Sequence, residues 1–281
     1  MNSGTCLCGD IGWQVDGDFG VFTNCHCSVC RKTHGAAYVG FVATAAENFS
    51  WTRGEEKIVR YASSDKGERC FCPQCGSSVP SVAGDYAFMA AGNMDGNIGR
   101  ALDNHIFVGS KAEWHEITDE APQFDEYPPG WEMETSERPA RLPKTDGAVA
   151  GSCDCGKVRY EFDGPGFRMG SCHCSRCRKA RSAAFSTQLF VMTDKFRWLA
   201  GKDNVRDYHL PETRLFITTF CTDCGSPAPR AFEEFDVYMI PAGSLDGDPG
   251  VRPQAHIYVG SKADWHEITV DLPQFDEMPP D

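Results

Sequence analysis

The stretch Cys25-His-Cys-Ser-Val-Cys30 places three cysteines within six residues, and Cys172-His-Cys-Ser-Arg-Cys177 does so again. A closed tetrahedral metal site needs four donors, so each stretch is one ligand short of it. The surrounding sequence repeats as well, because residues 105–129 and 256–280 are identical at 19 of 25 positions. The chain is therefore a tandem duplication, and the incomplete cluster is present in both copies.

The duplication fixes the domain organisation that we predict. Domain one covers residues 1–128 and domain two covers 148–281, with a linker at 129–147 that is rich in proline, glycine and mixed charges. Short alternating or β-branched runs at 158–162, 185–192, 215–220 and 237–240 indicate strands, and no long window has a helical period. The sequence predicts a mainly β protein of two small antiparallel domains, each stabilised by a structural zinc.

Composition limits what the cysteines and the surface can do. The 281 residues carry a net charge of −13, which disfavours nucleic acid as a partner. The N-terminal sequence shows no secretory signal and no apolar run is long enough for a membrane helix, so we expect a cytoplasmic protein without a membrane partner. The 15 cysteines are an odd number, and in a reducing compartment they favour metal binding over disulfides.

Two cysteine motifs in each copy together provide four sulfurs. Cys-x-Cys directs two thiols to one face of an extended segment, and Cys-x-x-Cys-Gly is typical of a zinc knuckle. We expect each set of four to bind a structural zinc. The predicted ligands are Cys6, Cys8, Cys72 and Cys75 in the first copy and Cys153, Cys155, Cys221 and Cys224 in the second.

The remaining clusters have the composition of open zinc sites, in which a substrate takes the fourth position. The predicted ligands, which are also the candidate catalytic residues, are Cys25, Cys27, Cys30, Cys172, Cys174 and Cys177. The alternative is that His26 and His173 supply a fourth nitrogen and close both sites. The fifteenth cysteine, Cys70, corresponds to Thr219. We interpret it as a small buried residue, with a redox or ligand role as the alternative.

The order of the motifs resembles that of one known family. Cys-x-Cys-Gly, Cys-His-Cys-Ser-x-Cys-Arg, Cys-x-x-Cys-Gly-Ser, His-Ile-x-Val-x-Ser-Lys-Ala-x-Trp and Leu-Pro-Gln-Phe are similar to the glutathione-dependent formaldehyde-activating enzymes, also called the centromere-protein-V-like family. The resemblance covers nearly all of both copies. It is closer in the second copy, at 151–156 and 196–201, and weaker in the first at Cys70 and at 45–51.

The resemblance implies an Mss4-like β fold with one structural and one catalytic zinc per copy, hence four zincs in all. It also implies a carbon–sulfur lyase that joins glutathione to formaldehyde and gives S-hydroxymethylglutathione, with a small thiol and an aldehyde as partners. Two further hypotheses stay open: a thiol carrier or sensor without catalysis, and an interaction module in which every zinc is structural. The duplication also allows the two copies to pack as a pseudo-dimer.

Charged and aromatic residues near the clusters are further candidates. Three thiolates with Zn²⁺ carry a net charge of −1, so a bound fourth thiolate calls for nearby cations. Arg31 and Arg178 are the candidates for binding glutathione carboxylates, followed by Lys32 and Lys179; ordinary surface solvation is the alternative. A second matched set is expected mainly to pack, cap turns or approach the site, namely His105, Lys111, Trp114, His256, Lys262 and Trp265.

Overall fold

A computed structural model describes residues 1–64, 67–131 and 144–280. The first copy contains helix α1 at Ser28–His34. Its strands are β1 Asn2–Thr5, β2 Gly12–Val15, β3 Val21–Cys25, β4 Val39–Ala45, β5 Phe49–Arg53, β6 Val59–Ala62, β7 Glu68–Phe71, β8 Ser78–Val79, β9 Ser81–Ala83, β10 Tyr86–Ala90, β11 Met94–Asp95 and β12 Asn104–Ile106.

The second copy repeats this order with helix α2 at Ser175–Arg181. Its strands are β13 Ala148–Ser152, β14 Arg159–Asp163, β15 Arg168–Cys172, β16 Ser186–Met192, β17 Phe196–Ala200, β18 Val205–His209, β19 Ile217–Cys221, β20 Arg230–Phe232, β21 Val237–Pro241, β22 His256–Ile257 and β23 Gln274–Phe275. The mainly β class is confirmed. Both helices of the described residues have seven residues, and no helix there is long and apolar enough to cross a membrane.

One sheet in each copy is mixed, whereas the sequence predicts purely antiparallel domains. In each copy a late strand returns beside the strand that carries the first cysteine of the three-cysteine cluster, and the pair is parallel: β12 with β3, and β22 with β15. This pairing places His105 opposite Asn24 and His256 opposite Ser171. The parallel strands therefore bring a histidine from the end of each copy next to its cysteine cluster.

The two copies pack against each other through equivalent elements. Helix α1 lies on the turn at 242–244 and α2 lies on the turn at 91–93. Both turns contain a glycine because the backbone of the other copy lies too close for a side chain. A Cβ on Gly92 would lie 2.2 Å from Ala183 N, and a Cβ on Gly243 would lie 2.4 Å from Ala36 N. A side chain at either position would separate the copies.

Aromatic side chains also cross between the copies. Trp114 belongs to the buried core of the second copy, with Tyr160 and Phe162, and Trp265 packs against the core of the first. Trp265 meets Phe22 edge to face, with ring centroids 5.5 Å apart. Burial of a side chain of this size stabilises a fold by about 3 kcal/mol or more. The expected packing role of the tryptophans is therefore exerted on the neighbouring copy.

The predicted linker at 129–147 lies largely outside the described residues, which end at 131 and resume at 144. The domain boundaries at 128 and 148 stay predictions.

Candidate metal centres and their surroundings

Each set of four cysteines converges on one point. All four sulfurs lie within 4.8 Å of one another in both copies. The Sγ atoms of Cys6 and Cys8 are 3.5 Å apart and those of Cys8 and Cys72 are 3.7 Å apart. A zinc–sulfur bond of about 2.3 Å in a tetrahedron gives a sulfur–sulfur separation of about 3.8 Å. The four sulfurs therefore fit a tetrahedral metal ion.

Backbone N–H donors and serine hydroxyls surround these sulfurs. The N–H of Ile11 donates to Cys6 Sγ and that of Val158 donates to Cys153 Sγ, each at 3.3 Å. Ser77 and Ser226 lie 3.4 and 3.3 Å from the thiols of Cys75 and Cys224. Donors of this kind stabilise metal-bound thiolates and hold the ligands in place.

The clusters of three form where a strand runs into a short helix. Cys25 ends β3, Cys27 is the N-cap of α1, and Cys30 lies in its first turn. The Sγ of Cys27 accepts the N–H of Cys30 at 3.4 Å, so the thiol takes the capping role that a serine or aspartate usually has. Cys172, Cys174 and Cys177 repeat this arrangement on β15 and α2. The three sulfurs of each cluster lie within 4.8 Å of one another.

Interactions among the sulfurs favour thiolate at the middle cysteine of each cluster. Hydrogen bonds from Cys172 and Cys177 lower the pKa of Cys174. Donation from Cys25 and Cys30 likewise lowers the pKa of Cys27. The cluster thus stabilises thiolate charge at its middle cysteine, and thiolate is the form that binds a metal.

His26 and His173 are paired with other histidines and do not complete the metal-ligand clusters. Nε2 of His26 lies 2.9 Å from Nδ1 of His105, and Nε2 of His173 lies 2.8 Å from Nδ1 of His256. No ring nitrogen joins the groups of three sulfurs among the described residues. Burial lowers the pKa of both His26 and His173 to about 2, so they are neutral.

The histidine pairs differ at their outer end. Nε2 of His105 donates to both carboxylate oxygens of Asp119, at 3.0 and 3.1 Å. Val270 takes the place of Asp119 in the second copy, and Nε2 of His256 is buried without a partner. The first copy therefore holds an Asp–His–His chain that the second lacks.

Two histidines beside these pairs are absent from the sequence-based candidates. His115 stacks on His26 at 5.7 Å between centroids, and His266 stacks on His173 at 5.5 Å. Burial lowers the pKa of each to about 3. The sequence carried a signal for both histidines. Each directly follows the tryptophan that occupies the same position in the two copies of the repeat. Lys111 and Lys262 cap these turns by donating to the carbonyls of His115 and His266, at 3.2 and 3.0 Å.

The lysines predicted near the clusters are used elsewhere. Lys32 Nζ pairs with Asp246 of the second copy at 2.6 Å, and Lys179 Nζ pairs with Asp95 of the first at 2.7 Å. Both lysines therefore join the copies. The roles predicted for Arg31 and Arg178 stay predictions. Burial lowers the pKa of Arg178, and the negative charges of Cys174 and Asp264 act in the opposite direction.

A cavity of about 1090 Å³ opens at the second cluster of three cysteines. Its walls include four arginines that the sequence analysis did not select, namely Arg176, Arg181, Arg214 and Arg230. They come from α2, the loop before β19, and β20, so no local spacing reveals them.

Cys70 stands apart from all four clusters. It is buried, and its Sγ lies 3.5 Å from Glu68 Oε1 and 3.7 Å from Arg60 Nη1. Burial raises its pKa to about 12, so the thiol is protonated and unreactive at neutral pH. This geometry fits the interpretation of Cys70 as a small buried residue.

The fold and the clusters define a duplicated β protein in which each copy has one set of four and one set of three cysteines able to bind metal. A family model described as "Glutathione-dependent formaldehyde-activating enzyme" matches residues 1–110 and 148–261. The two matches cover most of the sequence, and the chain belongs to this family.

Individual relatives are more distant. An uncharacterized lyase of Schizosaccharomyces pombe is 32% identical over 76 residues, which cover 27% of this chain and 53% of that protein. The chain thus spans about half the length of that relative. A putative glutathione-dependent formaldehyde-activating enzyme of Halomonas elongata is 27% identical over 128 residues, 41% of this chain and 79% of that protein. A crystal structure of a Rhodobacter sphaeroides protein aligns with a TM-score of 0.27 and 24% identity, covering 31% of this chain and 81% of that one.

Proposed function

We propose that the chain is a zinc-dependent enzyme of the carbon–sulfur lyase type that joins a thiol such as glutathione to formaldehyde or a related aldehyde. The observation that carries this is the cluster of Cys172, Cys174 and Cys177 at the wall of a large cavity that four arginines also line. The family description and the names of the two relatives support glutathione, formaldehyde and lyase chemistry.

The donor sets support zinc at all four clusters. Thiolate ligands suit zinc, and four sulfurs within 4.8 Å of one another match a closed structural site. We propose an Mss4-like fold in which each set of four holds a structural zinc. Each set of three would hold a second zinc, with one coordination position left for the incoming thiol. That zinc would supply a Lewis acid that keeps a bound thiol in its thiolate form.

The chain's own residues prepare the site for this chemistry. His256 holds the ring of His173 by a hydrogen bond of 2.8 Å, so that this imidazole does not compete for the open position. Arg181, whose pKa burial lowers to about 10, remains a cation and offsets the thiolate charge of Cys177. The remaining cavity arginines would bind carboxylates of the thiol substrate.

The reaction itself is an addition. The thiolate sulfur forms a bond to the carbonyl carbon of formaldehyde, and the carbonyl π electrons move to the oxygen. That oxygen takes up the proton that the thiol has lost, so the product is the hydroxymethyl thioether with no other reactant consumed. The reverse reaction releases the aldehyde and corresponds to the lyase direction.

The test measures the exchange rate, because thiols and formaldehyde equilibrate without a catalyst. Exchange NMR with ¹³C-formaldehyde and glutathione should show that the protein accelerates interconversion in proportion to its concentration. The Cys174→Ser variant, checked for an intact fold, should lose most of this acceleration. Glutathione binding without any acceleration would favour the carrier or sensor. A protein that neither binds thiols nor accelerates exchange would leave only the structural module.

A further inference from the structure

We propose that the two clusters of three cysteines differ in ligand: the second binds a carboxylate-bearing peptide thiol such as glutathione, and the first does not. This inference rests on the proposed function and assigns its thiol substrate to one copy. Both copies have the same three cysteines, but the residues around the two clusters differ, and the inference follows from that difference.

The second cluster faces a charged cavity of peptide size. Four arginines line it, and none of them forms a salt bridge with any described residue. The cavity wall also contains Glu212, Asp276 and Glu277. Glutathione carries two carboxylates and one ammonium group, so its charges match a wall in which unpaired guanidinium groups outnumber carboxylates.

Two of these arginines are held in place but retain free donors. Arg181 is only 6% exposed, and Nε donates to Ser186 Oγ at 3.4 Å. Arg230 lies over the Phe232 ring at 4.3 Å, and its Nη1 is buried without a partner. A buried guanidinium donor without an acceptor is costly, and a carboxylate ligand in the cavity would satisfy it.

The first copy lacks this set of arginines. Val29, His34 and Ser81 occupy the positions of Arg176, Arg181 and Arg230. The stretch of sequence between β18 and β19, which carries Arg214, is two residues longer than the stretch between β6 and β7.

Apolar side chains pack against the first cluster. Cys25 and Cys30 belong to a buried cluster that also contains Val39 and Phe41, and the second copy has the polar Ser186 and Gln188 at those two positions. Phe107 and Tyr127 pack on the same cluster, with ring centroids 4.8 Å apart. Such a wall does not solvate the carboxylates of a peptide thiol.

The first cluster also has its own cation. Nη2 of Arg69 lies 3.7 Å from Cys30 Sγ. Burial opposes the charge of Arg69, but the thiolates of Cys30, Cys27 and Cys25 outweigh it and raise the pKa of the guanidinium. Thr218 replaces Arg69 in the second copy and donates to the carbonyl of Cys75 at 3.0 Å. In the first copy the Arg69 guanidinium thus contacts a cluster sulfur, whereas in the second copy the four arginines line the cavity.

Isothermal titration of the zinc-loaded full chain with glutathione tests the assignment. We expect one glutathione per chain, lost in Cys174→Ser. Arg181→His and Arg230→Ser, which introduce the residues of the first copy, should each weaken binding by about tenfold or more, as loss of a charge-assisted hydrogen bond does. The surface variant Arg252→Gln should bind like the wild type. Circular dichroism and zinc content verify that each variant is folded.

A thiol without carboxylates provides the second measurement. Binding of 2-mercaptoethanol should be the same in Arg181→His, Arg230→Ser and the wild type, which would show that the metal site is intact and that only carboxylate recognition is lost. Two equivalent glutathione sites, or binding that survives in Cys174→Ser, would overturn the division between the copies but leave the proposed function standing. Unchanged glutathione affinity in both arginine variants would also overturn it. Absence of any thiol binding to the wild type would instead reject the proposed function.

Discussion

Lys32 of the first copy is 7% exposed and places its Nζ 2.6 Å from the Asp246 carboxylate of the second. The same amine donates to the carbonyl and the hydroxyl of Ser152. Its equivalent, Lys179, reaches Asp95 and Thr5 of the first copy, but these partners are more exposed. The two equivalent contacts between the copies therefore differ in how far they are shielded from water.

The Lys32→Met variant should unfold at a lower temperature than the wild type because it leaves the Asp246 carboxylate without its cation. Removing one partner of a fully buried ion pair costs about 3 kcal/mol, and because the Asp246 side chain is 24% exposed we expect a loss of roughly 2 kcal/mol. The matched variant Lys179→Met should lose about 1 kcal/mol or less, since its pair is partly solvated. Thermal unfolding followed by circular dichroism compares the two. Equal losses would show that burial does not distinguish the contacts.

The sequence predicts the cysteine sets because the metal-ligand spacing is local and occurs twice, and the structure brings together the same sets of four and three. It does not predict α1 and α2, because seven residues are too short for a helical period. The parallel return of His105 beside β3 depends on long-range topology. Arg176, Arg214 and Arg230 meet at one cavity from separate elements, so their shared role is visible only in three dimensions.

Replacing a cysteine of a four-cysteine set should destabilise its copy more than replacing one of a three-cysteine set. Cys72 and Cys221 lie in the cores around the knuckle turns, and structural zinc contributes roughly 10–16 kcal/mol in small zinc-finger peptides. We therefore expect Cys72→Ser and Cys221→Ser to lower the unfolding temperature more than Cys27→Ser and Cys174→Ser. Differential scanning calorimetry measures this. Similar decreases in both classes would show that the structural and open sites are wrongly assigned.

Stability should fall in mild acid, and His34 should contribute to the slope. This histidine is 1% exposed, its Nδ1–H donates to the Arg181 carbonyl at 2.8 Å, and burial lowers its pKa to about 3. Below a pH of about 6.5 the unfolded chain binds a proton there that the folded chain does not bind, so acid favours unfolding. The contribution is complete above that pH and is lost between about 6.5 and 3.

The His34→Gln variant should therefore show a shallower decrease in unfolding temperature between pH 7 and pH 5 than the wild type. One such proton contributes up to about 1.4 kcal/mol per pH unit. His209→Gln is the control, because His209 is exposed and its replacement should leave the slope unchanged. Zinc in excess at every pH keeps metal loss from obscuring the comparison. A slope in His34→Gln that matches the wild type would contradict the assignment.

The purified chain should hold four zincs, and X-ray absorption should show that sulfur is the dominant ligand. The four clusters together offer 14 sulfurs, an average of 3.5 per zinc. Among the described residues no histidine nitrogen groups with the sulfurs of either three-cysteine cluster, so we expect no outer-shell scattering from imidazole. Saturating glutathione should add sulfur at about 2.3 Å, the usual zinc–sulfur distance. Elemental analysis that gives two zincs, or an imidazole signal that thiol does not change, would mean that the three-cysteine sites are empty or closed, and the catalytic role would then be lost.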